Sequence, residues 1–120
     1  MNLVSRITYT LDCCDPKRLS EFWSEALGYS SAGPFGDFWP PVPPESSGEP
    51  WLVLQTVSEP KSGKNRMHLD MHAADLDAEV KRLESLGAQR LSDLVVLGDF
   101  SWFVMADPEG NEFCIVRPGD

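Results

Sequence analysis

Arg66-Met67-His68-Leu69-Asp70-Met71-His72-Ala73 alternates strictly, polar at the even positions and apolar at the odd ones. Period-two alternation marks a strand with one face on a core and the other open to water or a ligand. The open face here carries two imidazoles and a carboxylate. Asp75 then stands as a helix N-cap, and Leu76, Val80, Leu83 and Leu86 recur at helical spacing until Gly87 ends the run. The spacing predicts a strand over residues 66–73 that leads directly into a helix.

The same succession occurs nearer the N-terminus. Ile7, Tyr9, Leu11 and Cys13 alternate with Arg6, Thr8, Thr10 and Asp12, which predicts a strand over residues 6–13. Asp15 is its helix cap, with Pro16 at the first helical position, where a missing N–H costs nothing. Leu19, Phe22, Trp23, Ala26 and Leu27 form one apolar stripe that Gly28 terminates, so Trp23 belongs to the core. A shift of 60 residues carries Asp15 onto Asp75, Trp23 onto Leu83 and Thr8 onto His68. The chain is therefore a repeat of two strand-helix units.

Between the units, Tyr29–Ala32 allows a short strand. Residues 33–50 hold too many prolines and glycines for a helix or a central strand, leaving a long loop or edge arm. Its aromatics Phe35, Phe38 and Trp39 could cover a ligand or anchor the arm to the body. Trp51–Val57 reads as a strong strand, with Trp51, Val53 and Gln55 on one face. Residues 59–65, with two lysines, read as a solvated crossover in preference to a phosphate or carboxylate contact. Further strands are expected within 89–98, 100–105 and 111–116, with Asp107-Pro108-Glu109-Gly110 as a turn.

With 42% hydrophobic residues over 120 positions, the chain can build one ordinary core. Its formal charge of −9 argues against nucleic acid or an anionic membrane as partner, while tolerating a cationic ligand. No apolar run approaches the roughly 20 residues needed to span a bilayer, and no signal-peptide layout opens the sequence, so a cytoplasmic location is expected. Three cysteines, two of them adjacent at Cys13 and Cys14, fit structural thiols better than disulfides.

These readings combine into an α+β fold. Two tandem βαβββ modules, about 1–60 and 61–120, form a single domain over 1–120, a cup-shaped mixed sheet with helices on the outside. The non-helix faces would line the cup: Thr8, Thr10, Asp12, Trp51, Val53 and Gln55 from the first module. His68, Asp70, His72, Glu112, Cys114 and Val116 come from the second. Apolar walls with a few convergent polar groups are the usual composition of a small-molecule site.

The stretch Asp15-Pro16 to Gly28, the strand-helix from Arg66 to Ala88, and Asp107-Pro108-Glu109-Gly110-Asn111-Glu112-Phe113 resemble the vicinal oxygen chelate superfamily. That group includes glyoxalase I, extradiol dioxygenases, fosfomycin-resistance enzymes and bleomycin-resistance proteins. The nearest subgroup is the glyoxalase-like domain proteins. The resemblance implies metal ligands at the first and last strand of each module, positions that fall here on Thr8, Gln55, His68 and Cys114. Only His68 matches, so an octahedral site for a hard ion is dismantled. His68 with a Cys114 thiolate would suit zinc, completed by Gln55 or water, although no cofactor is the simpler expectation. Asp70 and His72 stand about 7 and 14 Å from His68 along an ideal strand, which weakens them as ligands. Proximity to His68 would lower the pKa of Cys114. Glu112 is expected at the rim.

Two functional classes follow. The first binds a small molecule in the cup without an assigned reaction, like a drug-sequestering bleomycin-resistance protein with Trp39, Trp51 and Trp102 against an aromatic or cationic ligand. The second is a lyase, isomerase or dioxygenase-type enzyme in which His68, with a metal or alone, moves a proton. Thr8, Thr10, Trp51, Gln55, Asp70, Trp102 and Cys114 are the candidate ligand contacts. A homodimer is compatible with either.

Overall fold

The first strand, β1 (Thr8–Cys13), starts two residues later than the alternation allows. The computed structural model describes residues 3–119 and shows why. β1 pairs in parallel with a strand that opens at Trp51, opposite Thr8, and the preceding Pro50 has no N–H to extend the ladder. Arg6 instead lays its guanidinium 5.1 Å above the Trp51 ring.

Helix α1 (Pro16–Leu27) follows as expected, with the Asp15 carboxylate accepting from the Arg18 N–H at 3.2 Å. Gly28 closes it with φ 70°, a left-handed conformation that only glycine adopts without strain. The buried stripe of α1 is Leu19, Phe22, Trp23 and Ala26, and the Phe22 and Trp23 rings meet edge to face at 5.2 Å. Burying Leu19 or Phe22 contributes about 1.5–3 kcal/mol each, Ala26 much less.

The proline-rich arm is not a bare loop. β2 (Ser30–Ser31), β3 (Phe38–Trp39) and β4 (Pro41–Val42) are two-residue strands, β2 pairing with β4 and β3 with β5 (Trp51–Thr56). Ser31 Oγ accepts from Trp39 Nε1 at 2.7 Å and from Ser20 Oγ at 3.1 Å, so Trp39 anchors the arm to α1. In the sheet order β1-β5-β3, Leu52 and Leu54 of β5 are buried, and α1 lies against this strand. Register puts Thr8, Thr10 and Asp12 beside Trp51, Val53 and Gln55 on the other face.

Beyond Lys61 the chain forms a second unit. Its first strand, β6, spans only Asp70–His72, not residues 66–73. The last strand donates Cys114 N–H to Leu69 O, but the Glu112 N–H that would extend the pairing is taken by Asn65 Oδ1 at 2.8 Å. A side chain thus replaces the ladder, and His68 lies outside the pleat.

Helix α2 (Leu76–Leu86) is capped by Asp75, whose carboxylate accepts from Ala78 N–H at 3.1 Å, and by Gly87 at φ 115°. After it come β7 (Gln89–Arg90), β8 (Val95–Leu97), β9 (Phe100–Ala106) and β10 (Glu112–Arg117). The sheet order is β6-β10-β9-β7, with β8 also on β9, and β10 runs parallel to β6 but antiparallel to β9. Phe103, Met105, Phe113 and Ile115 are buried with Leu76, Val80 and Leu83 of α2. The result is an α+β fold of two helices and mixed sheets. Among the described residues, Cys13, Cys14 and Cys114 form no disulfide. Among the described residues, no helix is long and apolar enough to cross a membrane.

Candidate functional site

Because Phe103 and Met105 face the core, alternation turns Phe100, Trp102 and Val104 to the opposite face of β9. The antiparallel register sets Trp102 beside Val116 and Val104 beside Cys114, and the parallel register sets Cys114 beside Asp70. These neighbours line a pocket of ≈ 510 Å³. Leu97, Phe100, Trp102, Val104 and Val116 make its apolar wall; Lys64, His68, Asp70 and His72 bring the polar groups, with Cys114 between the two. Volume and composition both match small-molecule sites.

The polar end is tightly drawn together. His68 Nδ1 lies 3.0 Å from Asp70 Oδ1, and single ligand atoms of His68, Asp70 and Cys114 all fall within 4.8 Å of one another. Asp70 is therefore a full member of the group, against the expectation that distance along the strand would weaken it. The expectation assumed both residues in one pleat, whereas His68 precedes β6 and its ring can fold back onto Asp70.

The Cys114 thiol is buried, as a structural thiol should be, but its pKa is not lowered beside His68 as expected. Burial first, then the charge and hydrogen bond of Asp70, push its pKa up to about 11, with Lys64 acting in the opposite sense. Burial and the carboxylate next to the sulfur outweigh the ammonium of Lys64. As it stands, Cys114 is a neutral thiol rather than a nucleophile.

One imidazole, one carboxylate and one thiol fit zinc better than a hard, oxygen-seeking ion. The group holds three candidate donors from β6, β10 and the segment before β6. A zinc ion there would have to displace the Cys114 proton, so its uptake would release acid.

Glu112 lies outside the pocket. Its carboxylate accepts from Asn65 N–H at 3.1 Å and pairs with Lys61 at 3.1 Å. The Asn65 N–H first, and Lys61 after it, hold it below the usual carboxylate range despite some desolvation. Glu112 thus clasps the segment that delivers Lys64 and His68. Of the remaining sequence candidates, Thr8, Thr10, Trp51 and Gln55 share one face of the first unit, on β1 and β5.

Lys64, Leu97, Phe100 and Val104 were not among the sequence candidates. The alternation of β9 against Phe103 and Met105 would have revealed Phe100 and Val104. Lys64 sits in an aperiodic linker and left no such signal.

The model of the glyoxalase-like domain matches residues 8–116. Among solved structures, a glyoxalase/bleomycin resistance protein/dioxygenase family enzyme from Burkholderia phytofirmans PsJN superimposes with a TM-score of 0.75 at 17% identity, covering 92% of this chain and 95% of that one. A glyoxalase-related enzyme from Fulvimarina pelagi gives 0.71 at 17%, covering 96% and 89%. TioX from Micromonospora sp. ML1 gives 0.64 at 16%, covering 95% and 98%. Likeness at such identities establishes the fold and leaves the chemistry to the site. No curated protein matches the chain.

Proposed function

Because the chain belongs to the glyoxalase-like domain family, we propose that it binds a small organic molecule on the open sheet face of its second unit. The observation that carries this reading is the ≈ 510 Å³ pocket, apolar along β8, β9 and β10 and polar at one end. A ring would lie against Trp102 and Phe100 while its oxygen substituents meet His68 and Lys64. His68 is the group suited to move a proton to or from such a ligand, since Asp70 engages one ring nitrogen and leaves the other for the ligand. With Cys114 protonated, binding comes first in this reading, and any reaction is acid–base chemistry at His68.

A second reading rests on the convergence of His68, Asp70 and Cys114. Those three side chains would hold a zinc ion, which when bound supplies a Lewis acid for a ligand oxygen. In that case the apolar wall excludes water from the ligand.

The test is a tryptophan-fluorescence and thermal-shift titration of chelator-treated protein with small neutral aromatic probes such as 1-naphthalenemethanol. Saturable binding that raises Tm and is weakened by Trp102→Ala is expected; at 100 times Kd the stabilisation is about 2.7 kcal/mol. Absence of binding by every probe would overturn the reading. Stoichiometric zinc in untreated protein, lost in His68→Ala, would establish the second one instead.

A further inference from the structure

We propose that this pocket selects an amphipathic anion: a flat apolar ring bearing a carboxylate or comparable oxyanion, the ring on Trp102 and Phe100 and the oxyanion on Lys64 and Arg66. The inference rests on the pocket reading above and names its ligand class. Two cavities meet at this end of the unit. The apolar one shares Lys64 and His68 with a second, of ≈ 450 Å³, lined by Lys64, Asn65, Arg66 and His68. A ligand that fills the first therefore ends against a basic shelf.

The shelf's cations are not spent on the protein itself. Lys61, from the same segment, is paired with Glu112, whereas the side chains of Lys64 and Arg66 make no hydrogen bond or ion pair among the described residues. Asn65 fixes the segment between them, giving its N–H to Glu112 Oε2 at 3.1 Å and accepting from Glu112 N–H at 2.8 Å. Two carboxylates oppose the shelf's charge, Glu112, which Lys61 pairs at 3.1 Å, and Asp70, which His68 engages at 3.0 Å. Whether that imidazole is neutral or protonated, Lys64 and Arg66 outweigh the His68–Asp70 pair, so the local sign is positive. In a chain of formal charge −9, this selection is local and runs against the overall field.

Isothermal titration of chelator-treated protein at low salt, with three probes of one shape, tests the assignment: 1-naphthoate, 1-naphthalenemethanol and 1-naphthylmethylammonium. Naphthoate should bind about tenfold tighter than the alcohol, and the ammonium weaker than either. Lys64→Gln should cut naphthoate affinity about fivefold with little effect on the alcohol, Lys64→Arg should restore it, and Lys17→Gln on α1 should change nothing. If the alcohol binds as tightly as naphthoate, if the ammonium binds best, or if Lys64→Gln leaves the preference intact, the inference is overturned while the pocket stands. Silence from all three probes removes both.

Discussion

His68 Nδ1 and Asp70 Oδ1 stand 3.0 Å apart although only one residue separates them in the chain, because His68 precedes the strand that Asp70 opens. In the neutral ring this contact selects the tautomer with the proton on Nδ1, leaving Nε2 as an acceptor. Long-range proton–nitrogen NMR should find the Nδ1–H form dominant in the neutral imidazole of His68, and Asp70→Ala should shift the balance toward Nε2–H. An Nε2–H majority in the unmodified protein would contradict the contact.

Glu112 provides a pH signature. Its carboxylate pKa is lowered in the folded chain, so its contribution to stability is present above the unfolded value of about 4.3 and is lost as pH falls through the lower folded value. Glu112→Gln should therefore lower Tm at neutral pH, and the gap to the unmodified protein should close on acidification below about pH 4. A gap that stays constant down to pH 3 would show that the Lys61 and Asn65 contacts are not linked to ionisation.

The thiols should separate by reactivity. Cys14 is exposed, while Cys114 is buried and protonated up to about pH 11. Iodoacetamide at pH 8 should label Cys14 well before Cys114, as read by peptide mass spectrometry. The unfolded thiol titrates near about 8.5. The part of stability linked to Cys114 is therefore complete below that pH and is lost as pH rises through the folded value. Faster labelling of Cys114 than of Cys14 would contradict its neutral, buried state.

The turn before β10 rests on Asp107. Its buried carboxylate accepts from Glu109 N–H at 2.9 Å, Asn111 N–H at 2.9 Å and the Asn111 side-chain amide at 2.9 Å. Asp107→Ala strands those donors and should cost about 2–3 kcal/mol in urea unfolding. Asn at this position keeps one acceptor oxygen and should cost less. A loss under about 0.5 kcal/mol for the alanine variant would show that water replaces the carboxylate.

The two helices were legible in the sequence to the residue, since each is written locally: an aspartate cap, an apolar stripe and a terminating glycine at Asp15–Gly28 and Asp75–Gly87. Strand identity was equally local, because alternation decides which face of β5, β9 and β10 is buried. The proline-rich stretch was correctly denied a helix or a central strand, but the full burial of Pro41 and small pairings such as Trp39 with Leu54 depended on partners distant in sequence.

The site could not be read that way. Alternation assigned His68, Asp70 and Cys114 to one face, but their convergence within 4.8 Å needed β10 to lie beside β6 and Asn65 to end that pairing early. The Cys114 pKa took its sign from burial and from Asp70, both consequences of tertiary placement. Lys64 lines the pocket from a linker that Glu112, 47 residues beyond Asn65, clasps. Local sequence determined the helices, the strand faces and the family, because caps and periodicity act over a few residues. Which side chains meet, and with what charge, was decided by contacts between segments that the chain keeps far apart.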